Sequence, residues 1–189
     1  MEFKDLRKLV IAALFIALHI VVGAIYIPVA DNLRISFAFF VVALGSTIYG
    51  PLVGMTTGFI SDILGAILFP SGPFFPGYTL TAMLGPLFYA LFFYRAKVGP
   101  IRVTLCKTLI NIVINVGLGS LWSAILYGKG YLYYLTTSIV KNTILLPLEI
   151  ILLLLFLQVM KPILIRAKLI PAVLRGRASP AKQEDFASD

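Results

Sequence analysis

The chain has one cysteine, Cys106, one histidine, His19, and eight acidic residues in 189. A lone cysteine excludes a disulfide framework within the chain and any multi-cysteine metal site, and a lone histidine argues against a histidine-based zinc or haem centre. The sequence also lacks a Walker loop, a nucleophile elbow and a metal-binding histidine pair. Only two acids, Asp62 and Glu149, fall inside apolar segments, so no two-acid catalytic constellation is in view. Metal, cofactor and catalytic residues are therefore all expected to be absent.

What is present is apolar. Hydrophobic residues make up 60% of the chain, charged residues 13%, and the mean hydropathy is +0.99, so its solvent is a bilayer. A membrane β-barrel needs alternating apolar and polar residues. The run ILLPLEIILLLLFL, residues 144–157, does not alternate. The fold class is an all-α integral membrane protein.

Six spans follow from the apolar runs: about 6–27, a short one from Ser36 to Tyr49, 52–69, 78–94, 101–127 and 131–160. The first is too long for a signal-peptide core and no small-residue cleavage site follows it, so it is read as a retained span. Residues 1–168 form one transmembrane domain with no convincing internal repeat. Residues 169–189, ending SPAKQEDFASD, read as a basic and polar cytoplasmic tail without fixed structure.

The formal charge of +8 would suit nucleic acid, but the position of the cations decides otherwise. Twelve of the sixteen Lys and Arg lie at the N-terminus, between spans four and five, or in the C-terminal region. Six spans bring those three segments to one side, which the positive-inside rule makes cytoplasmic. Both termini are thus expected inside, in a prokaryotic plasma membrane.

The segment GFISDILGAILFPSGPFFPGYT, residues 58–79, carries the strongest local signal. Asp62 lies at bilayer depth, where a carboxyl is costly and usually has a partner or a task. The Pro/Gly loop from Pro70 to Gly77 cannot continue a helix, and its two adjacent phenylalanines suggest the rim of a small-molecule site rather than a simple turn. At about 1.5 Å per residue, Lys141 lies about 15 Å into the sixth span from outside, and Asp62 about as deep from the inner face of the third. Asn111 and Asn115 share one face of the fifth span. Arg34 stands at the outer mouth, and Phe74, Phe75, Tyr78, Trp122, Tyr133 and Tyr134 supply aromatic surface. This inventory suits a flat ligand with carboxylate and amide-like groups. The bland alternative is that Asp62 simply pairs with Lys141. Lys107 and Glu149 are read as a structural pair near the cytoplasmic leaflet, or Lys107 as snorkelling, and His19 as a packing histidine.

At these residues the chain resembles a known family. The features are a small six-helix chain, the Ala13-xxx-Ala17 pair, LRISF at 33–37, and YGPLVGMTTGFISDILGAILFPSGPFFPGYTLTAMLGPLFY at 49–89. Over residues 5–168 it is similar to the substrate-binding S components of energy-coupling factor (ECF) vitamin transporters, folate-specific subfamily. The resemblance implies an S-component helical bundle that binds folate or a related vitamin from outside. It implies a T component and two ABC-type ATPases as partners, with ATP used there. Ala13 and Ala17 would face that partner. Arg34, Ser36, Phe74, Phe75, Tyr78, Thr79, Asn111, Asn115, Trp122 and Lys141 would form the substrate-binding set. Other readings are an S component for another vitamin (pterin or thiamine-related), a small membrane enzyme using Asp62 or Glu149, and an oligomeric channel. Spare Arg and Lys argue against a cationic thiamine-type ligand.

Overall fold

The computed structural model describes residues 6–30, 33–70, 73–96, 98–128 and 130–166. Six helices account for most of them: α1 (Leu6–Ala24), α2 (Ala38–Tyr49), α3 (Pro51–Leu68), α4 (Pro76–Phe93), α5 (Pro100–Tyr127) and α6 (Tyr131–Arg166). Proline opens α3, α4 and α5, where its missing N–H costs nothing. Among the described residues, α3, α5 and α6 (to Leu164) are long and apolar enough to cross a membrane by length and composition, and α1 and α2 are shorter apolar helices.

Three features go beyond the sequence expectation. First, α1 ends at Ala24, and an antiparallel ribbon of β1 (Tyr26–Ala30) and β2 (Leu33–Ser36) precedes α2. Pro28 in the first strand masks the strand signal, because proline cannot donate to the ladder. It pairs with Arg34, and the register slips between Pro28 and Ala30. Second, α5 changes to π-helical winding over Asn111–Leu118. Third, α6 runs six residues past Met160, to Arg166. The expected tail, residues 169–189, lies outside the described residues, as do Ser71 and Gly72 of the Pro/Gly loop and Lys129.

The main core unites four helices: Ala43 of α2, Tyr89 and Phe93 of α4, Val103, Cys106, Ile110 and Ile114 of α5, and Leu153 and Leu157 of α6. Helix α3 joins through small residues instead. Gly54, Gly58 and Ser61 recur at helical spacing and are buried. A Cβ on Gly58 would run into the Ala82 carbonyl of α4 and stand 3.1 Å from Pro86 Cγ. Without a hydrophobic drive between helices in lipid, such close backbone approach is what packing there depends on.

Helix α3 therefore offers an internal comparison. Gly65 has open space around it, so Gly65→Ala should be neutral or slightly stabilising. Gly58→Ala must push α4 away, at a cost of about 1–3 kcal/mol. Thermal unfolding in detergent or nanodiscs should show a fall of roughly 2–4 °C per kcal/mol for Gly58→Ala alone. Equal midpoints for the two variants would refute the close crossing.

Candidate functional site

The α3–α4 crossing decides where the start of α4 sits. Asp62 of α3 accepts a hydrogen bond from the buried Thr79 hydroxyl at 2.7 Å, tying the two helices one turn into α4. The carboxylate thus meets a neighbouring helix through a hydroxyl. Thr79, placed by sequence in the ligand set, spends its hydroxyl on this tie.

Just before Thr79 the chain makes an aromatic cluster with α5. Phe75 lies 5.7 Å from Trp122 and 6.1 Å from Tyr78, ring centre to ring centre. Gly77 permits this, because a Cβ there would stand 2.6 Å from Trp122 Cδ2 and would also collide with Phe75. Tyr78 and Ser123 hydroxyls lie 3.1 Å apart and join α4 to α5. The Trp122 indole N–H is buried and has no hydrogen-bond partner among the described residues. Phe74, by contrast, is exposed.

The two predicted amides sit in the π-helical part of α5. Asn111 is buried; its Nδ2 donates to the Asn142 carbonyl of α6 at 3.1 Å, and its Oδ1 accepts from Asn115 Nδ2 at 3.3 Å. Asn142 in turn donates to the Ser138 carbonyl at 2.8 Å. Ser120 Oγ donates to the Tyr134 carbonyl at 3.3 Å, a second link between α5 and α6. Asn111 is thus a clamp between helices, and the exposed Asn115 braces it. Lys141 is half-buried beside Asn142 on α6. Ser36 Oγ accepts the Ala38 N–H at 3.3 Å at the start of α2. Arg34 lies on β2 opposite Pro28.

One turn from Asn111 along α5, Lys107 is almost wholly buried, 2.8 Å from Glu149 of α6 and 4.0 Å above the Phe39 ring. The structure groups these three apart from the aromatic cluster. Sequence reasoning left Gly77, Ser123 and Asn142 out of the site. The Gly77 role was legible in principle, as a glycine between two aromatics at a helix start. Nothing in sequence marks Ser123 as a partner of Tyr78.

With this geometry in hand, the comparisons with known proteins are decisive. Residues 7–157 match the family model described as ECF transporter, substrate-specific component. The chain belongs to this family. The S component is 35% identical over 148 residues to "Folate transporter FolT" of Clostridium novyi, covering 78% of this chain and 86% of that protein. It is 34% identical over 152 residues to the protein of the same name from Leuconostoc mesenteroides, covering 77% and 82%. Among solved structures it resembles one described as FolT bound with folic acid, with a TM-score of 0.73 and 28% identity over 79% of this chain and 91% of that one. The six-helix S-component fold and a role in transport thus stand on sequence and structure together.

The Lys107–Glu149 pair gives this site's stability prediction. Removing one partner of a buried pair leaves an uncompensated charge and costs about 3 kcal/mol or more, whereas replacing both with apolar groups is often neutral. Glu149→Gln should therefore lower the unfolding midpoint further than Lys107→Met/Glu149→Leu. The reverse order would mean the pair contributes attraction beyond its desolvation cost.

Proposed function

We propose that this S component is the membrane-embedded subunit that captures folate for uptake with high affinity. The observation that carries the reading is the Phe75–Tyr78–Trp122 cluster at the start of α4, with its buried indole N–H that has no partner among the described residues. Three aromatic rings suit a flat pterin, and a free N–H suits one of its acceptors. The relatives named as folate transporters, and the similar structure described as bound with folic acid, support the same choice. Folate's glutamate tail carries two carboxylates, for which Arg34 and Lys141 are the candidate partners.

The proposed mechanism divides the labour by helix. The rings at 75, 78 and 122 stack on the pterin and exclude water from it. The Asp62–Thr79 tie and the Asn111–Asn142 clamp hold α4 and α6 in place around it. Both termini face the cytoplasm of a bacterial cell and the aromatic cluster faces outward, in accord with the distribution of Lys and Arg. A T component and two ABC-type ATPases supply the energy. Ala13 and Ala17, which lie one turn apart on the exposed side of α1, form the face for that partner.

Trp122 is the sole tryptophan, so its fluorescence reports binding directly. Titration with folic acid should give a saturable change, and Phe75→Ala should weaken binding by about 2 kcal/mol, roughly thirtyfold. A saturable response to a different vitamin, with none to folic acid, would overturn the substrate.

The partner face has a separate signature. Ala13→Leu/Ala17→Leu should leave calorimetric folate affinity within about twofold while abolishing folate uptake by cells that express the whole transporter. Uptake at the normal rate would remove α1 from the interface.

A further inference from the structure

At the end of α5 opposite Trp122, an open cleft of about 230 Å³ lies between Thr47 of α2, the α4–α5 connection and the last turns of α6. Val98 lines it from the connection, and Leu154, Leu157, Gln158, Lys161 and Leu164 line it from α6. These five recur at three- and four-residue spacing, so they share one face of the helix. The chemistry of that face changes with depth. The apolar span of α6 ends at Leu164, which puts Leu154 about 15 Å inside its end and Lys161 about 5 Å inside. The floor of the cleft is therefore apolar, while its mouth, at head-group level, carries a cation.

We propose that this cleft binds an anionic phospholipid, with one acyl chain against Val98, Leu154 and Leu157 and the phosphate at the Lys161 ammonium. The volume exceeds that of a cavity of about 150 Å³ that takes up benzene, so it admits a length of acyl chain. An unfilled apolar void forfeits dispersion contacts, and in a bilayer the acyl chains are the solvent at hand to supply them. Charge selects the head group. Among the described residues the only carboxylates are Asp62 and Glu149, held by Thr79 and Lys107, and Lys161 has no ion pair. Thr47 donates its hydroxyl to the Ala43 carbonyl at 2.7 Å, but Gln158, exposed beside Lys161, adds an amide donor. Cationic pockets between membrane helices recognise anionic head groups by this combination.

The position gives the lipid a structural role, because it fills the seam between α6 and the connection that leads from α4 into α5. On the orientation proposed above it belongs to the cytoplasmic leaflet. The binding itself rests neither on that orientation nor on folate, so its failure would leave the folate reading intact.

Native mass spectrometry of the full chain, released from nanodiscs of phosphatidylglycerol and phosphatidylcholine in equal parts, tests this. The chain should retain phosphatidylglycerol in about fivefold preference, the factor expected of one cation at a membrane surface. Lys161→Ala should remove the preference and Lys161→Arg should keep it. Arg102→Ala, which takes away an exposed cation outside the cleft, should also keep it. A preference that survives Lys161→Ala, or that is lost equally in Arg102→Ala, would mean diffuse surface attraction and overturn the site. Equal retention of the two lipids by the unmodified chain overturns it without any variant having to fold. A lipid-free dimer would give the cleft to a second copy and end the proposal as well.

Discussion

Where α3 crosses α4, Gly58 and the Ala82 carbonyl are pressed so closely that no side chain fits between them, and the rest of the site takes its position from that contact. The crossing brings Asp62 opposite Thr79, and their hydrogen bond fixes the first turn of α4. That turn carries Phe75, Gly77 and Tyr78, so it also fixes how they meet Trp122 and Ser123 on α5. Large interdigitating side chains would tolerate small slips between helices. Backbone against backbone does not, and a carboxylate–hydroxyl bond in a water-poor setting sharpens the register further.

The polar inventory of the bundle separates into groups already satisfied and groups left open. Lys107 has Glu149 and the Phe39 ring; Asn111 has the Asn142 carbonyl and Asn115; Ser120 has the Tyr134 carbonyl. The Lys107–Glu149, Asn111–Asn142 and Ser120–Tyr134 contacts bind α5 to α6. The π-helical winding begins at Asn111, and such segments are frequent at functional sites because they redirect side chains locally. Trp122, at the far end of the same helix, keeps a buried donor without a partner among the described residues. In an interior where unmade hydrogen bonds are expensive, such an open donor stands out beside the paired amides.

The six helices were legible because the bilayer demands long apolar runs, and α3, α5 and α6 supply them. Asp62 stood out because ionisable residues are rare at bilayer depth, and the Pro70–Gly77 loop because it cannot continue a helix. The β1–β2 ribbon was not legible, since Pro28 interrupts its first strand. The π-helical segment was not either, because its amides are spaced as they would be on an ordinary α-helix. Nor does sequence reveal that Asn111 serves α6, or that Thr79 serves Asp62. Both roles depend on which helix lies opposite, a matter of tertiary packing rather than local pattern.

Helix α1 stands apart from this arrangement in an instructive way. The buried cluster that unites α2, α4, α5 and α6 contains no residue of α1. Ala12 faces inward, and Ala13 and Ala17 face outward. Phe15 of α1 meets the Tyr49 ring of α2 edge to face at 6.2 Å, so α1 rests on the bundle outside the main core. A partner seated on Ala13 and Ala17 would therefore act first on α1 and its seam with α3. Its effect would reach the aromatic cluster through the Asp62–Thr79 bond, because α3 meets α4 at that point. The outward face of α1 is thus joined to the aromatic cluster through α3, by the Gly58–Ala82 crossing together with the Asp62–Thr79 bond.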